Sequence, residues 1–185
     1  PVPALRLAAL LHDAGKPPCF SLDEAGTGHF YGHPKVSAAL AEAALARLRL
    51  PNALREHTVA LVERHHLPVE PTEAWAGRWL SRLGSELFFH LLALKRADAL
   101  ACAPGQEGGL DSLDRAEELA RQLLARRPCL TLRDLAVDGH DALAAGLSGP
   151  EIGRALRALL EQAADGTLPN DRAALLEALA RRAGE

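Results

Sequence analysis

The chain has 185 residues, of which 48% are hydrophobic and only 4% aromatic, and its formal net charge at pH 7 is −3. This length suits one domain, or a domain with a small extension, that buries a core of its own. The near-neutral charge argues against the overall basic surface that marks many nucleic-acid-binding and membrane-binding proteins.

The cysteines and the start of the sequence bear on the cellular location of the chain and on whether it is a fragment. Cys19, Cys102 and Cys129 are far apart and none belongs to a C-x-x-C pair, which argues against a disulfide scaffold or a zinc knuckle. We therefore predict a reducing, cytoplasmic location. We find no signal peptide and no apolar run of bilayer length, so we expect no membrane association. The chain lacks Met and opens inside a helical pattern, so we expect a fragment of a longer protein.

The first half of the chain predicts helices separated by clear breaks, because Ala and Leu dominate it. Gly15 and Pro17 close the first helix. A loop rich in Gly and Pro leads to the second helix, which begins near Pro34 and runs to about Leu50. The third helix takes Asn52 as its N-cap and ends at the sequence RHHLP.

The second half predicts helices as well. A short helix, EAWAGRWLSRLG, precedes the most hydrophobic helix, SELFFHLLALKRADALAC, which we expect at the centre of a bundle. An amphipathic helix over about 111–126 follows, and a later helix has Pro150 in its first turn. No strand pattern emerges. We predict an all-α fold, with a helical bundle over residues 1–127 and a small helical appendage over 128–185.

Polar residues stand where several of these helices end. His12 and Asp13 are adjacent at the end of the first helix, where the partial negative charge of the helix terminus favours a bound cation. His33 begins a helix, His65 ends another, and Asp98 lies inside the most apolar helix. A carboxylate buried there is costly unless it is paired or binds metal. Because imidazole and carboxylate groups both ligate divalent metals, we predict that these five residues form a metal cage.

Simpler interpretations stay open. An isolated His–Asp pair is more often a solvated surface pair, and an ion pair of Asp98 with Lys95 or Arg96 would also explain its position. We interpret the other histidines as structural or exposed: His29, His57, His90 and His140.

Four segments, LLHDAGKP, HFYGHPKVSAALAE, LVERHH and LKRADAL, resemble the successive signatures of the HD superfamily of metal-dependent phosphohydrolases. The resemblance implies a divalent metal, which would be Mg, Mn, Fe, Co or Ni. The ligands it implies are His12, Asp13, His33, Asp98 and either His65 or His66. Catalytic roles fall on Asp13, His33 and Asp98. The first His of the family pattern would lie upstream of this chain.

A narrower resemblance covers essentially the whole chain. HDAGKP and RLRLPN, followed by the tail motifs DLAVDG and GPEIG, resemble the HD region and C-terminal segment of bacterial CCA-adding tRNA nucleotidyltransferases. This resemblance implies tRNA as the partner of the full-length protein. The catalytic head of that family precedes these segments, and its Gly-Ser motif with paired carboxylates does not occur here. We therefore expect that the chain alone adds no nucleotides.

Two functions follow from these patterns. In the first, the bundle and tail hold tRNA; because residues 128–185 carry six Arg and no Lys against nine Asp or Glu, this binding needs a local basic patch. In the second, the chain is a stand-alone HD-type phosphohydrolase acting on nucleotides, phosphomonoesters or cyclic phosphodiesters. A divalent metal would there lower the pKa of the attacking water.

Overall fold

The computed structural model describes residues 2–101, 109–126 and 129–184. Within these residues the chain forms eight α-helices and one two-stranded antiparallel sheet, which confirms the predicted all-α class. The helices are α1 (Pro3–Leu11), α2 (His33–Arg47), α3 (Asn52–Arg64), α4 (Glu73–Ala101), α5 (Leu110–Ala125), α6 (Gly139–Ala144), α7 (Pro150–Ala164) and α8 (Arg172–Ala183). Across the described part of the chain, none of these helices combines the length and the apolar character needed to span a membrane.

The chain divides into two compact units. The N-terminal unit comprises Pro1–Pro68 and Glu86–Leu113, and the C-terminal unit comprises Val69–Ser85 and Asp114–Glu185. The backbone of α4 is non-helical at Gly84 (φ 74°, ψ 160°), which explains why the sequence predicts two helices there. The boundary predicted between residues 127 and 128 lies outside the described residues, as does Cys102, so that boundary stays a prediction.

The N-terminal unit is built around α1, α2 and α3, which pack against one another. Small side chains at the contacts, such as the fully buried Ala8 and Ala41, let the helices approach closely. Leu45 of α2 and Leu61 of α3 supply buried volume. The part of α4 in this unit adds Phe88, Leu91, Leu92 and Leu94, all of which are buried.

A small hairpin stands where the sequence predicts only a loop. Strands β1 (Ser21–Leu22) and β2 (Gly28–His29) pair antiparallel, with Ser21 opposite His29. Asp23 organises the turn, because its carboxylate accepts hydrogen bonds from the backbone N–H groups of Ala25 and Thr27. Two-residue strands are too short to show the alternation that identifies a strand in a sequence.

Two predicted helix ends are wrong by a few residues. The second helix ends at Arg47, with Leu48 as its C-cap, before the predicted end at Leu50. Asn52 is the first residue of α3 and not its N-cap. Pro51, whose backbone is extended (φ −55°, ψ 142°), holds the cap position, so Asn52 lies already inside the helix.

In the C-terminal unit, α6, α7 and α8 pack around a continuous apolar core. Asp138 caps α6 in a capping box with Asp141, and the side chain of Asp171 caps α8. The residues of this core that are largest and most buried are Leu135, Val137, Leu147, Leu159, Leu175 and Leu179. The tail therefore forms helices that pack against one another, as its apolar periodicity predicts.

Candidate metal centre

The ends of three helices of the N-terminal unit bring the predicted site residues together. His12 is the C-cap of α1 and Asp13 follows it directly. His33 is the first residue of α2, and His65 is the C-cap of α3. Because α1 and α2 both pack close to α3, these helix termini meet on one side of the unit.

Gly15 fixes the turn that carries His12 and Asp13 against the start of α2. Its backbone N–H donates to Oγ of the buried Ser37 at 2.8 Å. A Cβ atom at this position would lie 2.7 Å from the backbone oxygen of His33 and 2.6 Å from the backbone nitrogen of Ser37. Only glycine permits this approach, which sets the distance between Asp13 and His33.

Asp13 lies at the centre of the cluster. Its Oδ1 is 3.4 Å from Nε2 of His33 and 3.7 Å from Nε2 of His65, and these two nitrogens are 3.1 Å apart. Nε2 of His12 lies 3.4 Å from Oδ2 of Asp13 and 3.4 Å from Oδ1 of Asp98. The structure thus brings all five predicted residues together, while their roles as ligands and catalytic groups stay predictions.

The helix backbones select the tautomer of each of the three histidines. In each residue Nδ1 donates to the carbonyl oxygen three positions earlier: His12 to Ala9 (2.9 Å), His33 to Phe30 (2.8 Å) and His65 to Val62 (2.6 Å). A carbonyl oxygen only accepts hydrogen bonds, so Nδ1 carries the proton. The neutral ring then presents the lone pair of Nε2 to the cluster.

This arrangement leaves a need for positive charge that a cation would meet. The lone pairs of His33 and His65 face each other at 3.1 Å in a buried environment, and Nε2 of His12 is buried without a hydrogen-bond partner. Burial lowers the pKa of His65 to about 4, so the ring of His65 is neutral at neutral pH. Two imidazole nitrogens beside a carboxylate, those of His33, His65 and Asp13, are a donor set that fits a divalent transition metal, and Nε2 of His12 lies 3.4 Å from the same carboxylate.

Lys16 is a further residue of the site, which the sequence-based prediction does not include. Its Nζ donates to Oδ2 of Asp13 at 2.6 Å, one helical turn along the chain. Burial alone would raise the pKa of Asp13, but the hydrogen bond and the positive charge of Lys16 act against it, and the pKa is lowered. The i, i+3 spacing of Asp13 and Lys16 in HDAGKP was the available signal.

The premise that Asp98 is buried was wrong. Its side chain is 52% exposed, because the end of α4 reaches the surface of the unit. Lys95, considered as an ion-pair partner, donates instead to the backbone oxygen of His65 at 2.8 Å and thereby holds the end of α3. Of the two candidate histidines, His65 lies beside Asp13, with its Nε2 3.7 Å from Oδ1, whereas His66 lines the adjoining cavity.

A cavity of about 400 Å³ adjoins the cluster. Its lining includes Lys16 and His66 together with aromatic residues of the loop before α2, Phe30 and Tyr31. His29, predicted as an exposed loop residue, is half-buried here, where it pairs with Asp23 at 2.9 Å and stacks on Tyr31. The cavity is thus lined by the Lys16 ammonium group and by aromatic rings, and it borders the candidate metal ligand His33.

The comparisons with known proteins agree on one family. The family model for tRNA nucleotidyltransferase domain 2 matches residues 30–179, a span that contains His33, His65 and Asp98 but begins after Asp13. The CC-adding tRNA nucleotidyltransferase of Thermus thermophilus is 40% identical over 164 residues, which are 87% of this chain and 36% of that protein. The A-adding tRNA nucleotidyltransferase of Deinococcus radiodurans is 36% identical over 165 residues, 88% of this chain and 38% of that protein.

The chain therefore spans just over a third of the length of these relatives. No solved structure matches it. Because the family model covers most of the chain, the chain belongs to the tRNA nucleotidyltransferase domain 2 family.

Proposed function

We propose that the chain is the HD-type body and tail of a tRNA nucleotidyltransferase, and that it binds tRNA. The observation that carries this proposal is the identity of 40% and 36% to two proteins named for adding C or A residues to tRNA. Those names support nucleotidyl transfer to tRNA as the activity of the full-length protein. The complete CCA-adding reaction is the narrower form of the same proposal.

A local basic patch on α7 is the part of the C-terminal unit that we assign to the tRNA backbone. Arg154 and Arg157 are exposed and three residues apart, so they share one face of the helix. Two other arginines of the unit are engaged within it: Arg172 pairs with Asp141, and Arg182 donates to Gln162. Two exposed guanidinium groups on one face suit contacts with phosphates, which dominate the affinity for nucleic acids.

Fluorescence anisotropy with a tRNA transcript tests this proposal. We expect the full chain to bind tRNA more tightly than a single-stranded RNA of equal length. Arg154→Ala with Arg157→Ala should weaken binding by about tenfold and reduce its salt dependence. Arg115→Ala, which removes a comparably exposed arginine of α5, should leave binding unchanged. No preference for tRNA, or equal effects of both variants, would contradict the proposal.

The candidate metal centre favours a second function, divalent-metal phosphohydrolase activity. Asp13, His33 and His65 would hold the metal, His12 would lie beside them, and Asp98 would complete the cluster at its exposed side. A bound divalent metal supplies Lewis acidity and lowers the pKa of a bound water. Lys16 and the adjoining cavity would bind the phosphate group of a nucleotide or phosphoester.

A generic phosphodiester assay with added Mn²⁺ tests this second function. We expect weak, metal-stimulated hydrolysis that is lost in Asp98→Ala and Asp13→Asn. Glu24→Gln changes an exposed carboxylate of the hairpin turn and should retain the activity. Equal and metal-independent rates in all four proteins would show that the cluster is only a scaffold.

A further inference from the structure

A second cluster of ligand-type side chains lies in the N-terminal unit, apart from the candidate metal centre. It consists of His57 on α3 and of Glu86 and His90 on α4. Nε2 of His57 is 2.9 Å from Nδ1 of His90, and one ligand atom from each of the three residues lies within 4.8 Å of the others. From the sequence alone, both histidines are interpreted as structural.

The positions of these residues suit a metal site. Glu86 and His90 are four residues apart on one helix, so their side chains lie on the same face one turn apart. His57 approaches from the neighbouring helix, and its ring centroid is 5.0 Å from that of His90. Glu86 is exposed while both imidazoles are half-buried, so the cluster has two anchored ligands and one side open to solvent.

A hydrogen bond between two imidazoles explains the 2.9 Å contact by itself, but it leaves the position of Glu86 unexplained. Two imidazole nitrogens bound to one tetrahedral metal at the usual bond length are about 3.3 Å apart. The observed separation of 2.9 Å is close to this value, so the two rings already lie near the spacing that a shared metal ion requires.

We propose that His57, Glu86 and His90 bind a divalent transition-metal ion of the Zn²⁺, Co²⁺ or Ni²⁺ class, which links α3 to α4. Two imidazoles and one carboxylate favour such ions over Mg²⁺ and Ca²⁺, which prefer all-oxygen sites. Three protein ligands leave one position for water at the exposed side. An ion that binds only the folded chain stabilises it, so metal binding at this site stabilises the contact between α3 and α4.

Titration with Co²⁺ tests the proposal in the full chain carrying Asp13→Asn and His33→Gln, which removes the candidate metal centre. Binding is followed by calorimetry and by the visible absorption of the ion, and stability by thermal unfolding. We expect one bound ion and a higher unfolding temperature in its presence. The absence of Co²⁺ binding in this background would overturn the proposal, whatever the outcome for tRNA binding or hydrolysis.

Two further variants in that background identify the ligands. Glu86→Gln changes an exposed side chain, keeps the contact between the two histidines and should lower the Co²⁺ affinity by at least about tenfold. His140→Gln removes an exposed histidine of the C-terminal unit and should have no effect. Unchanged affinity in Glu86→Gln, or an equal loss in His140→Gln, would mean that Co²⁺ binds surface histidines in general and would overturn the proposal.

Discussion

Individual backbone carbonyls determine what the histidines of the candidate metal centre can do. Each of His12, His33 and His65 donates Nδ1–H to a carbonyl oxygen three residues earlier and turns Nε2 towards Asp13. The rings are thereby held in one tautomer and one orientation before any ligand arrives. Such a pre-oriented set loses little conformational entropy on binding, which favours high affinity.

Asp13→Asn should weaken binding of Mn²⁺ at this centre by at least about tenfold. The change keeps the size of the side chain but removes the negative charge that faces His33 and His65. The measurement is a Mn²⁺ titration of the full chain at pH 7, followed by the electron paramagnetic resonance of the free ion. Asp23→Asn, a charge-matched change in the hairpin, is the control, and equal affinities in both variants would contradict the role of Asp13.

The packing of whole helices depends on one glycine of α4. In the C-terminal unit, a methyl group at Gly77 would overlap the backbone oxygen of Ala164, at the end of α7, and would lie 3.3 Å from Cδ2 of Leu123 of α5. The absence of a side chain at Gly77 thus sets how closely three helices approach. The lower helix propensity of glycine is the cost of this contact.

We expect Gly77→Ala to lower the free energy of unfolding by about 1–3 kcal/mol, because the backbone oxygen of Ala164 cannot move aside without shifting α7. At an open helical position the same change would stabilise the chain by up to about 1 kcal/mol. Gly153→Ala in α7 is the matched control, since its Cβ meets only the flexible end of the Arg157 side chain. Urea unfolding followed by tryptophan fluorescence measures both, and a stabilised Gly77→Ala would contradict the packing argument.

At the scale of a whole unit, hydrogen-bonded carboxylates at the surface of the C-terminal unit make its stability sensitive to acid. Hydrogen bonds from Thr131 lower the pKa of Asp134, and backbone hydrogen bonds from Asp141 and His140 lower that of Asp138. The hydrogen bond and charge of Arg172 lower the pKa of Asp141. Groups with lowered pKa stabilise the fold above the unfolded value of 3.8, and this contribution is lost as the pH falls through their folded values.

The C-terminal unit should therefore lose stability as the pH falls below about 4. Both tryptophans, Trp75 and Trp79, belong to this unit, so fluorescence during an acid titration reports on it directly. Asp141→Asn should be less stable at pH 7 and should show a weaker dependence on pH below about 4, because its pair with Arg172 is already absent. Glu177→Gln, an equal loss of charge on α8, should follow the parent chain. An unchanged dependence in Asp141→Asn would contradict this assignment.

The sequence by itself determined the helical class and most helix positions, because these depend on local properties. The apolar periodicity and the position of Pro34 and Pro150 inside first turns follow from backbone chemistry within a few residues. The same local patterns predict that His12, Asp13, His33 and His65 lie at or near helix ends. Helix ends that surround a common core often meet, which is why the candidate cluster was predictable at all.

Only the tertiary structure decided which long-range contacts these residues make. It selected His65 rather than His66 beside Asp13, because the C-cap geometry of α3 turns one ring inward. In the folded chain Asp98 is exposed, and His57 of α3 contacts His90 of α4. Such contacts link residues more than thirty positions apart, and no local pattern encodes them. They depend on the direction in which each helix leaves its turn and on close approaches, such as the one at Gly15, that only the packed chain defines.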